Sequence, residues 1–439
     1  MAYYLLLLTI AILPFQIRLI IPGNFSYFSG LYNEYASFSI HLSDLILLLT
    51  ILIWCYEVFI HQTKIHLGNK YLNICFTIFA TTSLLSTFFA KDPLLSIYHS
   101  FKIIEGYAFY LLIINQVAPI KHIIITLIGT FSFQSLLAIY QFIFQNSLGL
   151  NLLGEPLLQI GNPGIATINT PAGKIIRAYG TLPHPNILAG GLVITIISSL
   201  SLLKEKHYEK LIYATIFMLI ALIFTLSRSA WLAIIAAALI IFALKPKQFS
   251  EFIHTHKRRI LSFFAAFVIL IFAIAPAIQS RITWEDSEAI TGRITYARIA
   301  QNMIKDKYQF FTGVGTSNFT LRMQEYATSK IRPWNYQPIH NIFILTFAEN
   351  GFINLVVLIA IFIQIFTYAI TSYKEKTLEH ASLIALSTAL FILGSFDHYL
   401  LTLQQGSLLL WLSFAIISAI TQKSLHAHHQ HASSKSVQD

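Results

Sequence analysis

The sequence predicts an all-α polytopic membrane protein, with about twelve spanning helices and one long outer loop containing short helices. Three observations carry this prediction. Hydrophobic residues make up 56% of the 439 positions against 11% charged, and the mean hydropathy is +0.66. Apolar runs of about 18 residues or more recur from end to end, each long enough to cross roughly 30 Å of hydrocarbon as a helix. One long polar stretch, about 279–339, interrupts them.

Taken in order, the apolar runs place spanning helices near 4–21, 38–60, 71–90, 103–119, 123–145, 186–203, 211–226, 229–244, 260–278, 341–370, 381–397 and 405–421. Met1 to Pro22 has neither a basic leading region nor a small-residue cleavage site, so it reads as a first span rather than a signal peptide. Cys55 and Cys75 lie inside apolar runs and predict packing, not a disulfide framework. The whole chain, 1–439, is thus a single integral membrane domain. Residues 279–339 form an outer subdomain within it, and 422–439 form a polar cytoplasmic tail.

The formal charge of +10 would suggest nucleic acid in a soluble protein. In a chain this apolar it is first a topology signal, and no nucleic-acid partner is expected. With the N-terminus inside, one set of loops holds Lys64, Lys70, Lys121, Lys204, Lys206, Lys210, Lys245, Lys247, Lys257, Arg258, Arg259, Lys374, Lys376 and the tail lysines. The short loops of the other set hold chiefly Lys91, Lys102, Lys174, Arg177 and Arg228. Discounting the one long outer loop, this asymmetry puts both termini in the cytoplasm.

Two outer segments are large enough to carry function. The first, about 146–185, ends in Arg177-Ala178-Tyr179-Gly180-Thr181-Leu182-Pro183-His184-Pro185-Asn186. In the second, 279–339, Thr291 is placed to cap a helix from about Arg293 to Lys307. Tyr296, Ile299, Ala300, Met303 and Ile304 share one face of it, suited to lying on the membrane or on the bundle. Arg293, one turn ahead of Tyr296, projects over that face. A turn at Gly313-Val314-Gly315 leads to a further helix near 317–329.

The chemistry-bearing candidates gather on the outer side. Arg228, in Leu226-Ser227-Arg228-Ser229-Ala230-Trp231, lies between two apolar runs with almost no loop around it. A guanidinium so close to hydrocarbon needs a partner, either phospholipid headgroups or the phosphate of a substrate. Arg177 and Arg293 present the same chemistry on the same side, with a structural salt bridge as the alternative for each. His340, where the polar stretch meets the next span beside Asn341, is either an interfacial anchor or a base for an acceptor hydroxyl. The helix N-terminus there disfavours imidazolium.

Glu349 falls nearly opposite His340 on the same helix, so it is expected to satisfy a buried cation rather than to orient the imidazole. Asp397 is placed to reach the outer cavity or to act as a hydrogen-bonded interface residue. Lys102 is a weaker candidate, with Glu105 one turn on as its partner. The first outer loop, about 22–37, has Glu34 as its only acid, so the paired acids of a metal-dependent lipid-linked sugar transferase are missing there. No His or Cys cluster outside the tail has metal-site spacing, so no metal is expected. The tail histidines, His426, His428, His429 and His431, read as solvated.

Three stretches, by their order and spacing, resemble the O-antigen ligase and polymerase superfamily, bacterial multispanning glycosyltransferases that use polyprenyl-diphosphate-linked glycans. They are Arg177-Ala178-Tyr179-Gly180 through His184-Pro185-Asn186, then Leu226 to Leu232, then the long loop followed by His340-Asn341 and Glu349-Asn350-Gly351. The resemblance implies a GT-C-like bundle. It also implies diphosphate binding at Arg228 and at Arg293 of Thr291-Gly292-Arg293, acceptor activation by His340, and neither metal nor cofactor. The family pattern often has a tryptophan where this chain has Tyr296 or Arg298.

The function expected is metal-independent, inverting transfer of a glycan from an undecaprenyl-diphosphate-type carrier to a glycan or lipid acceptor, at the outer face of the cytoplasmic membrane. Arg228, Arg293 and Arg177 would bind the diphosphate, with His340 as base and Asn341, Glu349, Asp397 and Lys102 in support. A polymerase joining lipid-linked repeats is the first alternative. A transporter of lipid-linked oligosaccharides is the second, and for it intramembrane charges and broken helices are expected instead.

Overall fold

The computed structural model describes residues 1–162, 164–202, 211–247, 274–282, 287–373 and 377–435, together with His254, Lys257 and Phe272. The helices are α1 (Ala2–Ile12), α2 (Leu42–His61), α3 (Lys70–Leu85), α4 (Pro93–Ile114), α5 (Ile120–Phe144), α6 (Pro185–Ser199), α7 (Leu211–Phe224), α8 (Arg228–Leu244), α9 (Ala275–Ile282), α10 (Ser287–Lys305), α11 (Lys307–Thr312), α12 (Phe319–Tyr326), α13 (Ile342–Ser372), α14 (Leu378–Phe396), α15 (Tyr399–Thr402) and α16 (Gln404–Lys435). Among the described residues eight helices are long and apolar enough to cross a membrane, and α1, α7 and α8 are shorter apolar helices. The fold is an all-α polytopic membrane bundle. The span expected at 260–278 lies largely outside the described residues.

Helix starts follow from local chemistry. Asn69, Asp92, His184, Asn341 and Thr377 each cap the following helix by accepting a backbone N–H, and Pro93 and Pro185 open the first turns of α4 and α6. Burial orders the bundle. The spanning windows of α6 and α16 are 83% buried against 28% for α2, so the first two form the centre and α2 faces lipid. Around them α8 packs on α14, α4 on α16, α13 on α3 and α14, and α1 on α2.

The minor sheet structure is confined to short antiparallel pairs on one end of the bundle. Strand β1 (Arg18–Ile21) pairs with β4 (Phe38–His41), and β2 (Tyr27–Phe28) with β3 (Leu31–Tyr32). Strand β5 (Thr167–Thr170) pairs with β6 (Gly173–Ile176) in register Thr167 to Ile176. The connecting segments meet here: Phe28 stacks on Tyr336 at 4.1 Å, Lys91 pairs with Glu325 at 3.0 Å, and Asp92 N–H donates to Asn318 at 2.8 Å.

Several sequence expectations are corrected. The first helix stops at Ile12 rather than near 21, because Pro14 has no N–H to continue it, and Arg18–Ile21 is extended. The last helix runs on to Lys435, through most of the segment expected as a tail, where neither Gly nor Pro interrupts it. The loop helix begins at Ser287, so Thr291 sits inside it, its carbonyl accepting from the Thr295 hydroxyl at 2.8 Å, and is not its cap.

The expected continuous helix 341–370 is broken at Gly351, whose φ is +77°. The break is filled by the long loop: Val314 and Gly315 donate to the carbonyls of Ala348 and Glu349 at 2.9 and 2.8 Å. A Cβ on Gly351 would overlap the Phe311 carbonyl, and one on Gly313 would overlap the Glu349 backbone. Glycine at both positions is what lets the two backbones approach.

Candidate active site

The end of the bundle that carries the long loop holds a cavity of about 1140 Å³. Arg177 comes to its wall from the turn after β6, Arg228 from the first residue of α8, and Arg293 from α10. His340 comes from the residue before the Asn341 cap of α13. These four, nominated from separate stretches of sequence, line one space. Lys174, Arg281, Arg298, Lys330 and Arg332 line it too, and no carboxylate is among its described lining residues. Such a wall favours a polyanionic ligand.

The loop is held over the cavity by an apolar seam. Tyr296, Ile299, Ala300 and Met303 of α10 pack against Val314, Phe319, Met323, Ile339, Leu345 and Ala348. The face read from helical spacing therefore packs on the bundle rather than on lipid. It brings the Tyr296 ring parallel to the His340 imidazole, with 6.1 Å between centroids. Arg293, one turn earlier, is close enough to act on His340 electrostatically.

Behind His340 lies a polar relay. Arg177 is buried; its Nε donates to the Thr225 carbonyl at 2.6 Å and its Nη2 to Asn186 Oδ1 at 2.7 Å. Asn186 Nδ2 donates to Asp397 Oδ2 at 2.6 Å, and the His398 backbone N–H donates to Asp397 Oδ1 at 2.8 Å. One ligating atom each of His340, Asp397 and His398 lie within 4.8 Å of one another. The His340 and His398 rings meet edge to face at 5.0 Å, and His398 Nδ1 is bonded to the Thr402 hydroxyl at 2.6 Å. That trio has a spacing a metal ion would accept. The Arg293 guanidinium acts on both imidazoles and opposes a dication there.

The relay sets the charge states. Burial pushes the His340 imidazole below its ordinary range, Arg293 adds to this, and Asp397 and the Pro338 backbone pull the other way. Burial, with a contribution from Arg177, takes His184 down to about 3, and burial takes His398 down to about 3 despite Asp397. Burial also opposes ionisation of Asp397, but in acid the charge of the three imidazoles as they protonate, together with the Asn186 amide, outweighs it and holds the carboxyl below the usual carboxylate range. The result is neutral imidazoles around one carboxylate. His340 Nδ1 is buried without a hydrogen-bond partner.

The remaining candidates are placed differently. Asn341 caps α13 by accepting from Phe343 and Ile344 N–H at 2.9 and 3.0 Å, and its Nδ2 ties the cap to the Ser395 carbonyl at 2.9 Å. Lys102 is not at the cavity. It bridges Asp44 at 2.5 Å and Glu105 at 3.0 Å, the second being the partner expected from spacing. Glu349 is also away from the cavity, and it pairs with no cation among the described residues. Its carboxylate accepts the Phe319 N–H at 3.3 Å, which tethers α12 to the helix break. Both line a separate small cavity of about 40 Å³.

Sequence reasoning missed Arg281 and His398. Arg281 Nε donates to the Leu226 carbonyl and Arg228 Nη1 to the Arg281 carbonyl, both at 3.2 Å, so Arg228 braces the backbone of Arg281 and Arg281 that of Leu226. His398 directly follows Asp397, and that adjacency was the one available signal.

Residues 213–359 match the family described as O-antigen ligase. The matched span contains Arg228, Arg293 and His340, and leaves Arg177, Asn186 and Asp397 outside it. No curated protein matches the chain.

Proposed function

We propose that this chain, whose residues 213–359 match the O-antigen ligase family, transfers a glycan from a polyprenyl-diphosphate carrier of the undecaprenyl type to an acceptor hydroxyl, by a metal-independent inverting displacement. The observation that carries this reading is the convergence of Arg177, Arg228, Arg293 and His340 on one cavity without a described carboxylate on its wall. Arg228 and Arg293 hold the diphosphate. Arg177 adds charge to the wall and, through Asn186, holds Asp397 in place.

The acceptor oxygen attacks the anomeric carbon from the face opposite the diphosphate. A new C–O bond forms with the oxygen's electron pair as the carbon–diphosphate oxygen bond breaks, and that bond's electrons leave on the diphosphate. The acceptor proton passes to His340, and the imidazolium formed is stabilised by Asp397. Charge grows on the diphosphate as the bond breaks, so arginines preorganised around it lower the barrier. Positioning two substrates in one cavity supplies much of the remainder.

The loops at the opposite end of the bundle carry Lys64, Lys70, Lys121 and Lys245. This supports the cavity facing outward from a bacterial cytoplasmic membrane, with both termini inside. The break at Gly351 is a feature expected of a transporter, but outer-loop backbone fills it, which supports the enzyme reading.

The test is release of undecaprenyl diphosphate from vesicles reconstituted with lipid-linked glycan and acceptor. His340→Ala is expected to lower the rate by about 10²–10⁴-fold. Undiminished transfer by that variant would refute the assignment.

A further inference from the structure

The cavity carries more positive charge than one diphosphate uses. Arg228 and Arg293 come from the elements that flank His340. Lys174 on the β5–β6 hairpin, Arg298 on α10, and Lys330 and Arg332 on the loop after α12 line the same space as an exposed group. None of these four has a carboxylate partner among the described residues, and the Arg332 guanidinium lies over the Trp334 ring at 5.7 Å. Like charges drawn together without counterions repel one another, and an anion placed among them relieves that repulsion. The volume, about 1140 Å³, exceeds the roughly 300–1,000 Å³ usual for a single small-molecule site.

We propose that Lys174, Arg298, Lys330 and Arg332 form a second anion subsite at the mouth of the cavity, which takes an acceptor bearing a phosphate or diphosphate. This rests on the transfer reading above and deepens it by naming the acceptor's chemistry. The hairpin and the loop after α12 grip the acceptor's anionic group, leaving its hydroxyl to reach His340. Trp334 offers a flat face beside Arg332 on which a sugar ring packs. Two sources share this chemistry: a second carrier-linked glycan, and a glycan phosphorylated on its own sugars.

Calorimetric titration of inorganic pyrophosphate into the whole protein in phosphatidylcholine nanodiscs tests the proposal. Two sites are expected. Lys330→Ala with Arg332→Ala leaves one, and the charge-keeping pair Lys330→Arg with Arg332→Lys restores the second. Arg228→Ala with Arg293→Ala removes the other site. A rim double variant that still binds two pyrophosphates overturns the second subsite. If the rim variant loses one site but the Arg228/Arg293 variant loses none, the subsite stands and the transfer reading fails.

Replacing phosphatidylcholine by phosphatidylglycerol separates a substrate subsite from a headgroup contact. Loss of the rim site in that lipid overturns the proposal. Displacement of both pyrophosphates by undecaprenyl diphosphate identifies a carrier-linked acceptor. Displacement of the rim pyrophosphate alone by glucose 6-phosphate identifies a phosphorylated glycan.

Discussion

The Tyr296 ring and the His340 imidazole lie 8° from parallel with 6.1 Å between centroids, and this pair is where the long loop meets the root of α13. Their contact registers α10, and with it Arg293, against His340. Tyr296→Phe keeps the ring and is expected to keep transfer. Tyr296→Ala removes it and is expected to slow transfer by about tenfold or less, the size of an aromatic pair's contribution. Rates of carrier release in vesicles read this directly.

The acid limb of transfer reports the His340 proton. Burial and Arg293 lower its pKa, so the neutral base persists below the ordinary value of 6.5, and activity is expected to fall only at lower pH. Asp397 raises that pKa. Asp397→Asn therefore shifts the acid limb further down while it lowers the maximal rate, because the imidazolium loses its counter-charge. Arg293→Ala shifts the limb upward. Opposite shifts in the two pH–rate profiles separate electrostatic action on His340 from general damage.

Stability is expected to fall with acid through the same cluster. His184 and His398 are held neutral, with folded values of about 3 against the ordinary 6.5, so below 6.5 the unfolded chain binds more protons than the folded one. Their contribution is fully present above 6.5 and is lost as pH falls toward 3. The depressed carboxyl of Asp397 acts in the same direction below its ordinary 3.8. Thermal unfolding in detergent should show Tm decreasing from pH 7 to pH 4, and His398→Gln should flatten that slope.

Gly351→Ala tests the helix break. A φ of +77° with ψ of −178° is backbone essentially reserved for glycine and costs an alanine roughly 1–3 kcal/mol, and the added methyl group meets the Phe311 carbonyl. The variant should melt earlier and expose the loop 311–315 to proteolysis. Alanine at Gly129, where an added Cβ meets nothing within 4 Å, is the control and should leave both unchanged.

Composition and periodicity alone determined the membrane class, most of the spans and the apolar face of α10, and nominated Arg177, Arg228 and Arg293, because apolar length and intramembrane charge are local properties of a chain. They also determined the Lys102–Glu105 pair, which needs only helical spacing. Tertiary structure decided the rest. Spacing put Glu349 on the wrong partner because its acceptor role depends on Phe319, 30 positions away in an independent turn. The break at Gly351 was hidden because a glycine is tolerated in an apolar helix, and only the approach of Phe311 and Gly315 requires it.

That same dependence on packing assembled the relay from Arg177 through Asn186 to Asp397. Its last link spans 211 positions between α6 and the end of α14. Residue types can nominate a base and its anion-binding arginines. Which carboxylate stands behind that base is set by how the ends of separate helices close on each other.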